Sequence, residues 1–154
     1  MKRHLQYSLS LVIFIFCFSS CQDCYYIEND LHGMWQVTSV EKLPEGDIVE
    51  AQGQLYYMFQ RSMVQLGYKP LNSPQSMRRY IAHFDLIGED SIGMGYFRMR
   101  TTGEGDFVNQ EIKIPLDSLR KFGLYDDHTT FSKFQSNQKL ILTSDSACIV
   151  LRRY

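Results

Sequence analysis

Residues 78–100 have the sequence RRYIAHFDLIGEDSIGMGYFRMR, and this stretch decides the fold class. In its first half, apolar residues that include Tyr80 and Phe84 occur at every second position and alternate with mostly polar residues. That period of two is typical of a β-strand with one buried face. Gly88-Glu89-Asp90 then supplies residues typical of a turn, and residues 92–100 return as a partner strand. The stretch therefore predicts an antiparallel β-hairpin.

The same pattern continues along the chain in both directions. Further strand-like segments are residues 33–42, 55–59, 62–68, 107–114, 127–135, 139–142 and 147–152. One segment breaks the pattern, because apolar residues recur every three positions over 116–122, between a proline and a glycine, which predicts a short helix. No parallel βαβ pattern is present. The chain is therefore predicted to be all-β, with eight to ten strands in a sandwich or an up-and-down barrel.

The N-terminus has the pattern of an export signal. Lys2 and Arg3 precede a largely apolar run of ten residues at 9–18, too short to span a membrane, and Ser19-Ser20-Cys21 follows. This resembles the lipobox of bacterial lipoproteins, which implies that Cys21 is lipidated and becomes the new N-terminus. A plain secreted protein cut nearby and a buried N-terminal strand are the alternatives. In enteric lipoproteins, an Asp directly after the lipidated cysteine retains the protein in the inner membrane. This chain has Gln22 at that position, so the resemblance implies the outer membrane.

These assignments divide the chain into a signal at 1–20, a tether at 21–31 and a single domain at 32–154. The whole chain has a formal net charge of −1, and loss of the signal makes it −3. Such a balance disfavours a nucleic-acid partner, which normally meets a basic surface. Cys24 and Cys148 remain after cleavage, and either a disulfide between them or two separate thiols is compatible with the sequence.

The segment Leu31-His32-Gly33-Met34-Trp35 carries a Gly-x-Trp motif at the start of the first strand. With the terminal hairpin at 140–154, it resembles the lipocalin-like (calycin) domain lipoproteins of Bacteroidetes. The resemblance implies an antiparallel up-and-down barrel in which Gly33 allows close backbone approach and Trp35 closes one end. It also implies an arginine across that Trp, as a cation–π contact. Either Arg152 or Arg153 fits, but not both, because adjacent strand residues face opposite ways.

The aromatic side chains raise the question of function. Tyr57, Phe59, Tyr80, Phe84, Tyr96 and Phe97 are expected to lie in strands that line the barrel. One interpretation is a pocket for a small hydrophobic ligand, and the other is that these rings simply fill a small core. A ligand pocket predicts a cavity of about 300 Å³ or more at the end opposite Trp35, whereas a filled interior favours a protein-interaction module. Loops 43–53 and 69–76 would contact the protein partner.

No catalytic chemistry is predicted. The sequence lacks a nucleophile elbow, a zinc-protease motif and a phosphate loop. His83 is expected to face outward, and Asp126-Asp127-His128 is interpreted as a solvated loop rather than a metal site. We therefore expect a non-enzymatic protein with no cofactor and no metal. Its expected partners are the membrane through its lipid, and either a small apolar ligand or another protein.

Overall fold

A computed structural model describes residues 30–49, 53–71, 77–100 and 111–154 of the chain. Ten strands form one sheet: β1 (Gly33–Lys42), β2 (Asp47–Ile48), β3 (Gly53–Gln60), β4 (Met63–Pro70), β5 (Arg78–Leu86), β6 (Ser91–Arg100), β7 (Glu111–Lys113), β8 (His128–Gln135), β9 (Lys139–Thr143) and β10 (Ala147–Arg153). One helical segment, α1 (Leu116–Leu119), continues into a 3-10 turn at Arg120–Phe122. None of the helical residues in these ranges belongs to a helix long and apolar enough to cross a membrane.

The sheet closes on itself into a barrel. Eight strands pair with their neighbours in the order β1, β3, β4, β5, β6, β8, β9 and β10, and β10 pairs back onto β1. Every pairing is antiparallel, while β2 and β7 are short additions alongside β1 and β6. This confirms the predicted all-β antiparallel barrel with one short helix.

Several predictions fall on residues outside the described ranges. They are the signal, the lipidated Cys21 and most of the tether. Cys24 lies there as well, so neither alternative for it and the half-buried Cys148, a disulfide or two separate thiols, is tested. The predicted strand at 107–114 is described only from residue 111, where β7 begins. In the loop predicted at 43–53, the structure places the two-residue strand β2.

The barrel has two ends, which we name by what closes them. At the Trp35 end, β1 begins, β10 ends, and the turns β3–β4, β5–β6 and β8–β9 meet. At the helix end, α1 and its 3-10 turn lie across the opening, with the Lys121 ammonium 3.5 Å from the centre of the Tyr68 ring. The helix stops at Gly123, which has a φ of 83°. A Cβ at that position would lie 2.6 Å from Ile149 Cγ1, so both backbone and space require glycine.

The interior is a continuous apolar core. Leu66, Ile92, Phe131 and Leu142 are among the side chains that are fully buried inside the barrel. Each comes from a different strand, and on β8 the inward Phe131 lies between outward Thr130 and Ser132. The alternation seen in the sequence therefore separates a buried face from a solvated one.

The prediction that Tyr96 lines the interior is wrong. The β5–β6 register passes from Ile81↔Arg98 to His83↔Gly95, so β6 carries one extra residue at a β-bulge. Tyr96 takes a φ of 56° there, and its side chain turns outward and is 61% exposed. The extra residue reverses the alternation, so that Phe97 becomes the inward ring. A period of two cannot reveal a bulge, which is why the sequence placed Tyr96 inside.

Candidate functional site

The interior rings pack against one another. The five other rings expected to line the barrel are all buried: Tyr57, Phe59, Tyr80, Phe84 and Phe97. The ring centres of Tyr57 and Phe59 are 6.1 Å apart, and those of Phe59 and Phe84 are 5.3 Å apart in an edge-to-face contact. These are ordinary separations for aromatic pairs in a core. These rings therefore pack against one another within the core.

Phe122 closes the helix end of this cluster. Its ring centre lies 6.2 Å from that of Tyr57 and 6.2 Å from that of Tyr80. The Tyr57 hydroxyl donates a 2.6 Å hydrogen bond to the Phe122 carbonyl oxygen. Burial raises the pKa of Tyr57 well above its ordinary value, because the phenolate would have no water around it. The hydroxyl thus acts as a structural donor that holds the helix onto the barrel.

We expect Tyr57→Phe to alter the alkaline stability of the protein. The folded pKa of Tyr57 lies above its unfolded value of 10.0, so its contribution is complete below pH 10 and is lost as the pH rises. Above pH 10 the unfolding free energy of the wild type should fall by about 1.4 kcal/mol more per pH unit than that of Tyr57→Phe, because the variant has no phenol to ionise at this position. At pH 7 the variant should be less stable by about 1–2 kcal/mol, because the Phe122 carbonyl loses its donor. Urea unfolding across this pH range measures both effects, and parallel pH profiles would contradict the assignment.

Trp35 closes the opposite end. The indole is fully buried, and its Nε1 donates a 2.8 Å hydrogen bond to the Leu31 carbonyl oxygen. The Arg153 guanidinium carbon lies 5.3 Å from the centre of the indole ring, and its Nη2 donates to the His32 carbonyl oxygen at 3.0 Å. The expectation that Gly33 allows close backbone approach is wrong, because among the residues that the structure describes a Cβ there would meet only the Arg153 guanidinium, at 3.8 Å. The φ of 126° is what favours glycine at this position. Arg152 instead contacts the Gln36 side chain at 3.3 Å, so of the two arginines Arg153 lies across Trp35.

The two arginines form a matched pair for mutation. Arg153→Ala should lower the free energy of unfolding by about 1–2 kcal/mol, because it removes a cation–π contact and a charged hydrogen bond. Arg152→Ala should change it by less than about 0.5 kcal/mol, because its hydrogen bond to Gln36 is exposed. Guanidinium unfolding of both variants checks the difference. Equal losses would mean that Arg153 does not clamp the Trp.

A cleft of about 680 Å³ lies on the outer wall of the barrel, across β4, β5 and β6 and the start of β8. Side chains that line it include Met63, Ile81, His83, Tyr96, Arg98 and His128. Arg98 is held at the rim by Glu111, with 2.7 Å between Nη1 and Oε2. The volume is within the range of small-molecule sites in proteins. The cleft therefore offers an apolar floor with a polar rim.

The strand register explains how these side chains come together. Met63 is opposite His83, His83 is opposite Gly95, and Gly95 is opposite His128. Neighbours in such a row face the same side of the sheet. A Cβ at Gly95 would overlap the Asp127 carbonyl oxygen. Glycine at this position therefore lets the chain before β8 cross close to β6. As a result the His128 imidazole lies beside the Tyr96 ring, with 5.9 Å between their centres.

Tyr96 holds its ring outward with the backbone in a strained, left-handed conformation. A residue with a Cβ pays roughly 1–2 kcal/mol in the left-handed region, so Tyr96→Gly should be more stable than Tyr96→Ala by about that amount. Both variants lose the ring, so their difference isolates the backbone. At the exposed Phe134 in β8 the order should reverse, with glycine less stable than alanine by about 0.5–1 kcal/mol. Thermal unfolding of the four variants tests this, and the same order at both positions would contradict the left-handed conformation of Tyr96.

A second cleft of about 350 Å³ lies at the Trp35 end, lined by Asp30, Glu89, Asp90, Phe134 and Arg153 among others. It is more polar than the outer-wall cleft.

Among residues 30–49, 53–71, 77–100 and 111–154, no three His, Cys, Asp or Glu side chains come together as a metal site. The Asp126–His128 segment contributes to the outer-wall cleft through His128 and pairs Asp127 with Lys113 at 2.5 Å.

Sequence reasoning missed most of the outer-wall cleft. His83 faces outward as expected, but its neighbours Met63 and Arg98 are 20 and 15 positions away in the sequence. Only the pairing register brings them together, and the bulge at Tyr96 shifts that register by one residue. Gly93 and Gly95, two glycines on one face of a strand, were the available signal, because such positions mark close approach by another segment.

Comparisons with known proteins agree with this fold. A family model for the lipocalin-like domain matches residues 16–154. The crystal structure of a lipocalin-like protein from Bacteroides uniformis is similar with a TM-score of 0.54 and 18% identity, covering 82% of this chain and 100% of that one. An uncharacterized protein from Bacteroides eggerthii is similar with a TM-score of 0.57 and 19% identity, covering 80% of this chain and 99% of that one.

No curated protein sequence matches this chain closely enough to transfer a function. The lipocalin-like fold suggests a ligand-binding or accessory role, and it is typically non-catalytic. The family match spans most of the sequence, including every strand of the barrel. The chain therefore belongs to the lipocalin-like domain family.

Proposed function

We propose that this chain is a lipid-anchored, non-enzymatic binding protein of a bacterial envelope, and that it binds its ligand on the outer wall of the barrel. The observation that carries the proposal is the contrast between the two sides of the wall. Inside, contacting rings and the Phe122 plug occupy the space that a ligand would need. Outside, the cleft at Tyr96 is open and is large enough for a small molecule.

The residues around the outer-wall cleft indicate the class of ligand. Met63, Ile81 and the Tyr96 ring provide apolar surface, while His83, His128 and the Arg98–Glu111 pair provide hydrogen-bonding groups at its edge. A small amphipathic molecule with an apolar body and a polar group matches both parts. This keeps the expected hydrophobic ligand but moves it from the barrel interior to the outer wall.

The strained Tyr96 supports a binding role for this cleft. A non-glycine residue with positive φ is uncommon, and such residues cluster at functional sites when the surrounding structure holds them there. Here the Tyr96 amide donates a 2.6 Å hydrogen bond to the Asp127 carbonyl oxygen, which fixes the bulge. In a regular strand without the bulge, Tyr96 would point its ring into the core, and the cleft would lose its aromatic wall.

The proposed anchor rests on the sequence. A basic start, a short apolar run and Ser19-Ser20-Cys21 have the order of a lipoprotein signal. A single acyl-modified cysteine would hold the domain at a membrane surface. We place it at the outer membrane because Gln22 follows the cysteine. Intact mass measurement of the envelope-purified chain tests the anchor, since Cys21→Ala should lose the added lipid mass.

Native mass spectrometry of the acylated protein in detergent tests the binding site. We expect a co-purified small molecule that is lost from Met63→Glu and from Tyr96→Gly, which alter only the outer wall. The interior variant Tyr57→Phe is the matched control and should retain the molecule. If nothing co-purifies, 1-anilinonaphthalene-8-sulfonate serves as the probe in the same three variants. Retention by both outer-wall variants, or loss from Tyr57→Phe, would place the ligand elsewhere.

A protein-interaction module is the second candidate, and one observation favours it. Ile48 is 71% exposed and Leu71 is 63% exposed, and both lie in the loops predicted to contact a partner. Large aliphatic side chains this exposed occur at interaction surfaces. An envelope protein captured by the wild type but not by Ile48→Lys or Leu71→Lys, with Phe134→Lys as the control, would support this candidate.

A further inference from the structure

Lysine and arginine side chains lie at both ends of the barrel, and at the helix end Lys69, Arg78, Arg79 and Lys121 stand outside any ion pair among the described residues. Within the described ranges, all four ion pairs lie in the half of the barrel near the helix end: Lys42–Glu45, Arg98–Glu111, Lys113–Asp127 and Asp117–Arg120. At the Trp35 end, Arg61 lies in the β3–β4 turn, and Lys133 and Lys139 flank the β8–β9 turn, without a carboxylate within ion-pair distance among the same residues. Glu89 and Asp90 stand in the β5–β6 turn at this end as well.

The Trp35 end also exposes apolar side chains at its turns. Ile87 in the β5–β6 turn is 50% exposed, and Phe134 before the β8–β9 turn is 64% exposed. Leu86 and Tyr154 are exposed at the same end. Aromatic and aliphatic side chains beside lysine and arginine are usual in a surface that rests on lipid headgroups. Ile48 and Leu71 give the helix end the same composition, so the tether decides between the two ends.

The tether determines which end can reach the bilayer. Asp30, where the described chain begins at the Trp35 end, is nine positions after Cys21, and the connecting chain spans at most about 30 Å. The eight strands of the barrel have five to ten residues, and with the usual tilt the longest of them make the barrel roughly 25 Å tall. For the helix end to touch the membrane, the tether would have to be almost fully extended along the barrel wall. That requirement costs chain entropy, whereas contact through the Trp35 end leaves the tether free.

From this arrangement we infer that the Trp35 end is a membrane-contacting surface, in which Ile87 and Phe134 enter the headgroup layer while Arg61, Lys133 and Lys139 bind lipid phosphates. The inference rests on the proposed anchor at Cys21. It leaves the outer-wall cleft beside the membrane and open to solvent, and it leaves Ile48 and Leu71 facing away from the bilayer.

The single tryptophan of the chain makes this orientation measurable. The acylated protein is reconstituted into vesicles of phosphatidylcholine with a minor fraction of phosphatidylglycerol and a dansyl-labelled headgroup lipid. Energy transfer from Trp35 to dansyl is then compared with transfer in the double variant Trp35→Phe/Leu71→Trp, whose Trp is at the helix end. We expect transfer from Trp35 to be higher by roughly twofold or more, given a barrel about 25 Å tall.

A second comparison does not depend on folding of the double variant. Ile87→Glu combined with Phe134→Glu should lower transfer from Trp35 in the otherwise wild-type chain, whereas Ile48→Glu at the helix end should leave it unchanged. Equal transfer from both ends, or no change with the paired glutamates, would overturn the orientation. Flotation with vesicles and the mass of Cys21 are measured on the same samples. A chain that carries lipid yet shows no preferred end refutes this inference alone, and a chain without lipid refutes the anchor and the inference together.

Discussion

Phe122→Ala is expected to lower the free energy of unfolding by about 3–5 kcal/mol. The Phe122 ring is fully buried between Tyr57 and Tyr80, so its removal leaves a cavity that the rigid strands around it cannot fill. The loss is a large part of the 5–15 kcal/mol that stabilises a typical domain. Denaturant unfolding followed by circular dichroism measures it.

The exposed Phe134 supplies the control for this substitution. Phe134→Ala removes the same atoms from a side chain that is mostly in water, and should change stability by less than about 0.5 kcal/mol. If Phe122→Ala were equally mild, the 3-10 turn would be a mobile cover rather than part of the core. The interior would then be accessible from the helix end, as a ligand pocket requires.

Trp35→Ala is expected to be at least as damaging, with a loss of about 3–5 kcal/mol from the cavity alone. The substitution also removes the donor to the Leu31 carbonyl and the ring beneath Arg153. Trp35→Phe should recover part of this loss, because it keeps an aromatic ring in place but supplies no N–H donor. Thermal and guanidinium unfolding of both variants give the comparison. A loss below about 1 kcal/mol for Trp35→Ala would mean that the Trp35 end is held closed by other contacts.

Local patterns were sufficient to predict an antiparallel all-β chain with one short helix, and the resemblance carried by the Gly-x-Trp motif and the terminal hairpin decided for a barrel over a sandwich. The period of two at Arg78–Leu86, the glycine after a short helix and the Gly-x-Trp at the first strand each depend on residues close in sequence. The sequence could not choose between Arg152 and Arg153. Adjacent residues of a strand face opposite sides, so only one of them can lie across Trp35, but the alternation does not say which side of β10 faces Trp35. The structure resolves it through the register, in which Trp35 is opposite Arg153.

The candidate site could not be predicted in the same way. Its position depends on one inserted residue at Tyr96, which reverses the facing of β6 from that point. Nothing in the local alternation distinguishes a bulge from a continuous strand. The closure of the interior depends on a tertiary contact, the Tyr57 hydroxyl on the Phe122 carbonyl, between residues 65 positions apart. Composition alone therefore could not say whether the rings lined a pocket or filled a core.

The central claim is that the barrel interior is a packed core and that binding occurs outside it. Methyl resonances of the buried Leu66, Ile92 and Leu142, recorded during a titration with benzene, test this most directly. A dry apolar cavity of about 150 Å³ is enough to bind benzene. We predict no saturable shift of these methyl groups in the wild type. We predict a saturable shift of the Leu66 and Leu142 methyl groups in Phe122→Ala, because these two lie on the side of the core where the cavity has been made. Saturable shifts of the same methyl groups in the wild type would show an open interior and would contradict the account.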